Sequence, residues 1–285
     1  MKVNFVAEVS SNHNRDLKRS KEFIEEAARI GCNGVKFQLF RIKELFAPEI
    51  LEKSESHRKR KEWELPVEFI PELSDTCRKH KIEFSCTPFY LDAVDELKQY
   101  VDFFKIASYE LLWTNLLVKA AESNLPIVLS TGMATIDEID TAVNVIIGTG
   151  NKKLTLLHTV SGYPTPPEEA NLNAIETLRN RYKCNVGWSD HTVNPAILYR
   201  AIHKWNASMI EFHLDLDRQG EEYKSGHCWL PDEIKQVIDN INTGFMSDGT
   251  GEKIPAPSEM SDREWRADPK DGLRPLMLTR KKFKT

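Results

Sequence analysis

Residues 188–213 read WSDHTVNPAILYRAIHKWNASMIEFH. The stretch opens at the end of an apolar-biased run, Cys184 to Trp188, and closes inside a second, Ser208 to His213. Both runs read as short buried strands, and Pro195 to Trp205 between them reads as a helix. If the two strands are neighbours in a parallel sheet, their carboxyl ends meet at one edge. Side chains i and i+2 of a strand share a face, so Glu211 and His213 lie on the same side. His191, just past the first strand, then converges on His213. Two imidazoles with a carboxylate beside them suit a divalent metal or acid–base chemistry. The plainer alternative is a pair of histidines that satisfies local hydrogen bonds.

The same rhythm runs outward from this unit. Val3 to Val9 alternates and carries Glu8, and the turn-forming cluster Ser10 to Asn14 follows. Asp16 is placed to cap a helix in which Leu17, Phe23, Ile24, Ala27, Ala28 and Ile30 recur at helical spacing, and Gly31 stops it. Gly34 to Phe40 reads as a strand with Lys36 and Gln38 on one face. Further strands are predicted at Ile82–Thr87, Val101–Ser108, Pro126–Ser130 and Leu154–Val160. Helices are predicted at Pro66–His80, Leu91–Gln99, Asn115–Ser123, Ile136–Ile147, Leu172–Tyr182 and Pro231–Asn242. Two segments read as loops: the cluster Ser54 to Lys61 within the charged, weakly patterned stretch Arg41 to Glu64, with a mobile cover over a site as the sharper reading, and the Gly- and charge-rich run from His213 to Trp229.

Strict alternation of strand and helix calls for a parallel sheet of the α/β class, and eight such units in 285 residues suggest closure into a (β/α)8 TIM barrel. The rival is an open doubly wound sheet. That fold usually carries a G-x-G-x-x-G turn after its first strand, where this chain has Ser-Ser-Asn-His-Asn. The barrel is expected over residues 1–245 and a short irregular C-terminal tail over 246–285. A formal net charge of −4 gives no electrostatic reason to expect nucleic acid or an anionic membrane as partner. No apolar run reaches bilayer length and no signal peptide is evident. The 5 cysteines are odd in number and lack C-x-x-C spacing, which suits reduced thiols and a cytoplasmic expectation.

Active sites of such barrels lie at the carboxyl ends of the strands. Those ends carry Glu8; Lys36 and Gln38; Thr87; Lys105 and Ser108; Ser130; Ser161 and Tyr163; Ser189 and His191; Glu211 and His213. A lysine inside Phe103-Phe104-Lys105-Ile106 is costly to bury unless it is paired or faces a ligand. Two lysines with a ring of hydroxyls are the chemistry of a bound anion, phosphate first. Each Ser or Thr taken singly reads as a turn or cap residue, and only the joint pattern argues for function. A Schiff-base lysine of aldolase type is the alternative use of the same lysines.

Nine motifs occur in order: Ala7-Glu8, Ser11-Asn12-His13-Asn14, Val35-Lys36-Phe37-Gln38, Thr87-Pro88-Phe89, Phe104-Lys105-Ile106-Ala107-Ser108, Leu129-Ser130-Thr131-Gly132-Met133, Tyr163-Pro164-Thr165-Pro166, Ser189-Asp190-His191-Thr192 and Glu211-x-His213. Together they resemble the sialic acid synthase family over roughly residues 3–240. The resemblance implies a barrel enzyme that condenses phosphoenolpyruvate with an N-acetylmannosamine-like sugar to a nonulosonic 2-keto acid, releasing phosphate. It implies a divalent metal, manganese or magnesium, with His191 and His213 as ligands. Lys36, Thr87, Lys105, Ser108, Ser130 and Ser189 would hold phosphoenolpyruvate. Glu8, Glu110 and Tyr163 would face the sugar, and Glu211 would sit beside the reacting carbons.

The sequence also departs from the family. Gly220 to His227 stands where relatives carry a G-P-D-H type segment, so the Asp expected to hold a sugar hydroxyl has no clear counterpart. Position 161 is Ser where many relatives have Asn. Family members usually continue into a small antifreeze-like domain that lends an Arg to the partner's sugar site. Here Trp265 to Pro275 stands in its place, and Arg266 or Arg274 is expected to supply that cation. A homodimer is left open, because relatives dimerise partly through that domain. The alternatives are a phosphoenolpyruvate-dependent 2-keto-3-deoxy sugar acid synthase with another acceptor, and a catalytically silent binding barrel.

Overall fold

The computed structural model describes residues 3–283. Val6, Phe103, Val128, Leu157 and Met209 form one buried cluster. Each stands two residues before a polar side chain on its own strand: Glu8, Lys105, Ser130, Thr159 and Glu211. Because i and i+2 share a face, the same inward row that plugs the barrel with apolar groups at its start ends in a polar ring. The alternation thus builds core and site from one pattern.

Eight strands carry it: β1 (Asn4–Glu8), β2 (Gly34–Leu39), β3 (Glu83–Pro88), β4 (Phe103–Ile106), β5 (Ile127–Ser130), β6 (Leu154–Thr159), β7 (Asn185–Asp190) and β8 (Met209–Leu214). They pair in sequence order, β8 closes on β1, and every pairing is parallel. The fold is a (β/α)8 barrel. A short ninth strand, β9 (Cys228–Trp229), extends the sheet from β8.

The helices follow from apolar spacing and end signals. In α1 (Leu17–Arg29) the buried residues Ser20, Phe23, Ile24 and Ala27 fall on one stripe. Asp16 caps it, accepting from the backbone N–H of Lys18 and Arg19, and Gly31 takes a left-handed φ of +93° beyond its end. The other principal helices are α5 (Ile70–His80), α6 (Leu91–Leu97), α7 (Thr114–Glu122), α8 (Ile136–Gly148), α9 (Ala174–Tyr182), α10 (Pro195–Tyr199) and α12 (Pro231–Ser247). The helix expected over Pro195–Trp205 is α10 followed by a π-helical turn, Arg200–Lys204.

Both expected loops contain structure. Between Arg41 and Glu64 lie α2 (Ile42–Leu45), α3 (Pro48–Lys53), α4 (Glu55–Lys59) and a 3-10 turn, Arg60–Trp63. Between His213 and Trp229 lie α11 (Glu221–Lys224) and β9. Helices of one turn or so are too short to show a periodic stripe, so charge dominated the reading of both segments. Among the described residues no helix is long and apolar enough to cross a membrane.

The chain divides into one compact unit ending at Ile241 and a second beginning at Asn242. The second is held by its own contacts. Asp268 accepts from the backbone N–H of Lys270 and Met277, Arg280 pairs with Asp271, and Trp265 packs on Phe283 near α13 (Met277–Lys281). Arg266 and Arg274 are exposed there.

Candidate active site

Register brings the polar strand ends together before any side chain is considered. Glu8 stands opposite Lys36 on β2 and opposite His213 on β8. Gln38 stands opposite Thr87, and Ser189 opposite Glu211. Their side chains form one buried network. Lys36 pairs with Glu8, lies 4.0 Å from Glu211 Oε1, and donates to Thr87 Oγ1 at 3.4 Å. Lys105 donates to Glu211 Oε1 at 2.8 Å and Ser189 Oγ to the same oxygen at 3.2 Å. Gln38 Nε2 donates to Glu8 Oε1 at 2.6 Å.

Burial of four charges demands this pairing. Burial pulls Lys36 down, but the Glu211 and Glu8 carboxylates more than offset it and hold its pKa above the ordinary lysine value. Burial wins at Lys105, whose pKa is lowered despite Glu211, with Lys36 pushing the same way. Glu211 would be raised by burial, yet Lys105 and Lys36 hold it below the usual carboxylate range. The two ammonium groups and two carboxylates balance, so an arriving anion competes directly with Glu8 and Glu211 for the lysines.

A cradle of small groups adjoins the end of β5. Gly132 N–H donates to Ser108 Oγ at 3.0 Å, and the buried Ser161 Oγ has no hydrogen-bond partner among the described residues. A Cβ at Gly132 would stand 2.5 Å from Ser161 Oγ and 2.8 Å from Ser108 Oγ, so only glycine leaves these donors room. Ser130 is buried at the end of β5. Next to Gly132, Met133 takes φ +64°, rare for a side-chain-bearing residue.

The histidines meet as expected. The His191 and His213 rings lie 5.3 Å apart, and Tyr163 stacks on His191 at 4.1 Å. His191 Nδ1 faces the Val160 carbonyl at 2.8 Å, so it carries the proton and Nε2 the lone pair. Burial, with His213 next, lowers the His191 pKa to about 3, leaving a neutral imidazole at pH 7. His213 Nδ1 lies 2.8 Å from Glu222 Oε2, which leaves its Nε2 as the other nitrogen. His213, Glu222, His227 and Cys228 each bring one donor atom to within 4.8 Å of the others. Burial pushes the Cys228 thiol far up, so it is not a thiolate. Imidazole nitrogens with one carboxylate are a donor set that a first-row divalent cation accepts, with a carboxylate orienting one imidazole from behind.

The loop holding His191 is tied down by Asp190. That buried carboxylate accepts from Trp188 Nε1 at 3.0 Å, Trp229 Nε1 at 3.2 Å and Thr192 Oγ1 at 2.7 Å. It also accepts from the backbone N–H of Val193, whose φ of +48° is unusual for a β-branched residue.

Above this floor opens a cavity of about 680 Å³ lined by Gln38, Glu110, Tyr163 and Glu222, with Phe46 and Arg60 from the segment between β2 and α5. Burial raises Glu110 to about 8, so it is protonated at pH 7, and its Oε2 has no partner among the described residues. Glu222 also accepts from Ser10 Oγ and Asn12 Nδ2. Against burial, His213 holds it well below the usual range.

Every site residue expected in the first unit is thus brought to the strand-end face, whereas Arg274 belongs to the second unit. Sequence reading named Gly132 and Asp190 only within motifs, Glu222 and His227 only within the segment Gly220 to His227, and gave Arg60 no role. A His-x8-Glu-x4-His spacing from His213 was the available signal for two of these.

Residues 23–253 match the NeuB family. The chain belongs to the NeuB family. NeuB proteins are sialic and nonulosonic acid synthases, phosphoenolpyruvate-condensing transferases, and this NeuB chain is an enzyme of that class. It is 40% identical to an uncharacterized protein of Methanocaldococcus jannaschii over 89% of this chain and 74% of that one. It is 36% identical to the N,N'-diacetyllegionaminic acid synthase of Campylobacter jejuni, covering 92% of this chain and 82% of that one. A solved structure from Leptospira borgpetersenii, an N-acetylneuraminic acid synthetase in complex with citrate, superimposes with a TM-score of 0.81 at 33% identity, covering 93% and 92% of the two chains.

Proposed function

We propose that this NeuB enzyme condenses phosphoenolpyruvate with an N-acetylmannosamine-like aldehyde sugar to a sialic-acid-like 2-keto acid and phosphate, with a divalent cation bound. The observation that carries the reading is the buried Glu8–Lys36–Glu211–Lys105 network beside the His191–His213 pair. Phosphoenolpyruvate carries a carboxylate and a phosphate. Lys36 and Lys105 neutralise it, and Thr87, Ser108, Ser130, Ser161, Ser189 and Gly132 N–H orient it.

His191 and His213 would hold Mn2+ or Mg2+, which supplies Lewis acidity to the aldehyde carbonyl. The alkene electron pair of phosphoenolpyruvate forms the bond from its C3 to the aldehyde carbon, and the aldehyde oxygen takes a proton. Water adds at C2 and gives up a proton, and the C2–O bond to phosphate then breaks to leave the keto group. Once the anion draws the lysines away, Glu211 loses the partners that hold its pKa down and becomes a base for that water. Glu8 stabilises positive charge at C2 from the Gln38 side. Glu110, protonated, and Tyr163 donate to sugar oxygens.

The test follows phosphate release from phosphoenolpyruvate with and without Mn2+ and an N-acetylated hexose, with the product identified by mass. Release that requires both supports the reading. Release without any aldehyde, or none across a panel of N-acetylated hexoses with Mn2+ present, overturns it.

A further inference from the structure

The segment between β2 and α5 is held at both ends. Ile42 N–H donates to Glu64 Oε1 at 2.8 Å, and Arg15 Nη1 reaches the Lys61 carbonyl at 3.0 Å. Nearby arginines are committed to protein acceptors: Arg41 to Glu96 and Arg58 to the Leu51 and Glu52 carbonyls. Arg60 differs. Among the described residues its guanidinium has no hydrogen-bond or ion-pair partner, and it lies over Phe46 at 5.5 Å and Trp63 at 5.3 Å. Two aromatic faces fix the plane of a guanidinium while leaving its N–H donors unspent. It lines the cavity that Glu110, Tyr163 and Glu222 line.

We infer that Arg60 is a specificity-determining residue of the acceptor site, donating to the acyl oxygen of an N-acylated, uncharged amino sugar. The inference rests on the proposed synthase reading and goes beyond it in naming the group recognised. Phe40, Leu45, Phe46 and Phe89 line the same cavity, Phe46 directly under Arg60, and suit the acyl methyl. Glu110 and Glu222 are the carboxylates lining the same cavity, and the other basic side chain, His57, has its Nδ1 on Ser54 Oγ at 2.7 Å. A lone guanidinium in a cavity whose acidic lining residues are two carboxyl groups matches a carbonyl dipole. A phosphate dianion would want several cations.

The experiment compares wild type, Arg60→Ala and Arg60→Lys, each assayed with N-acetylmannosamine, mannose and N-acetylmannosamine 6-phosphate. Arg60→Ala should raise KM for N-acetylmannosamine roughly 10- to 100-fold, the scale of one charge-assisted hydrogen bond. KM for phosphoenolpyruvate should stay within about twofold, and preference for N-acetylmannosamine over mannose should fall by the same factor as the KM rise. Arg60→Lys should recover part of the loss. Calorimetric titration of N-acetylmannosamine, with phosphoenolpyruvate absent, reads the same contact without turnover. Equal affinity in wild type and Arg60→Ala overturns the inference, as does tighter wild-type binding of the 6-phosphate. Absence of phosphate release in wild type would count against the synthase reading alone, because the titration still decides Arg60.

Discussion

Glu110 and Gly132 show how single residues set what the cavity can do. A buried carboxyl at the cavity wall is neutral at pH 7 because burial raises its pKa from 4.5 to about 8. The folded form holds its proton more tightly than the unfolded chain. Its contribution to stability is therefore full below pH 4.5 and is lost as pH rises through about 8. Acceptor binding should follow the same proton, so KM for the sugar should climb above pH 8. Glu110→Gln, a neutral mimic, should flatten both the melting temperature between pH 5 and 8.5 and the KM profile above pH 8; an unchanged wild-type slope in the variant would show that another group titrates. Gly132 acts through space alone. Gly132→Ala should raise KM for phosphoenolpyruvate roughly tenfold through displaced Ser108 and Ser161 hydroxyls, with sugar KM unaltered in steady-state kinetics. Glu110 was legible only through the family resemblance, since nothing in Ser108-Tyr109-Glu110 signals burial.

At the scale of elements, the loop from β7 to α10 illustrates a strained segment fixed by a buried anchor. Asp190 binds indole N–H groups from two strands, β7 and β9, together with the turn that carries His191. Asp190→Ala leaves those donors without an acceptor. It should lower stability by roughly 2–4 kcal/mol in a denaturant titration and weaken Mn2+ affinity through a displaced His191, while Asp190→Asn should lose less of both. A near-normal midpoint for the alanine variant would reduce Asp190 to a bystander. The strands themselves were plain from alternation, and Asp16 and Gly31 mark the ends of α1 in sequence as in structure. α2, α3, α4 and α11 were not plain, because one turn of helix offers no period to read.

On the scale of the molecule, the chain divides into a barrel unit ending at Ile241 and a second unit beginning at Asn242, and the residues lining the proposed acceptor site belong to the barrel unit. Arg266 and Arg274 were the candidates of the sequence, and Arg60 is the guanidinium lining the cavity. Arg274→Ala should leave sugar KM and kcat within about twofold if Arg60 fills that role; a tenfold rise would return the role to the second unit. The sequence by itself determined the eightfold strand–helix rhythm, the polar residue at each strand end and the histidine at the end of each of two neighbouring strands, because period-two alternation and βα repetition are local properties of the chain. Only the tertiary structure decided that Lys36 is shared between Glu8 and Glu211, that Glu222 backs His213, and that Arg60 meets the cavity. Glu8, Lys36 and Glu211 are far apart in the chain, and barrel closure with strand register sets the distances between them; Glu222 lies nine residues past His213 and is turned back onto it by α11.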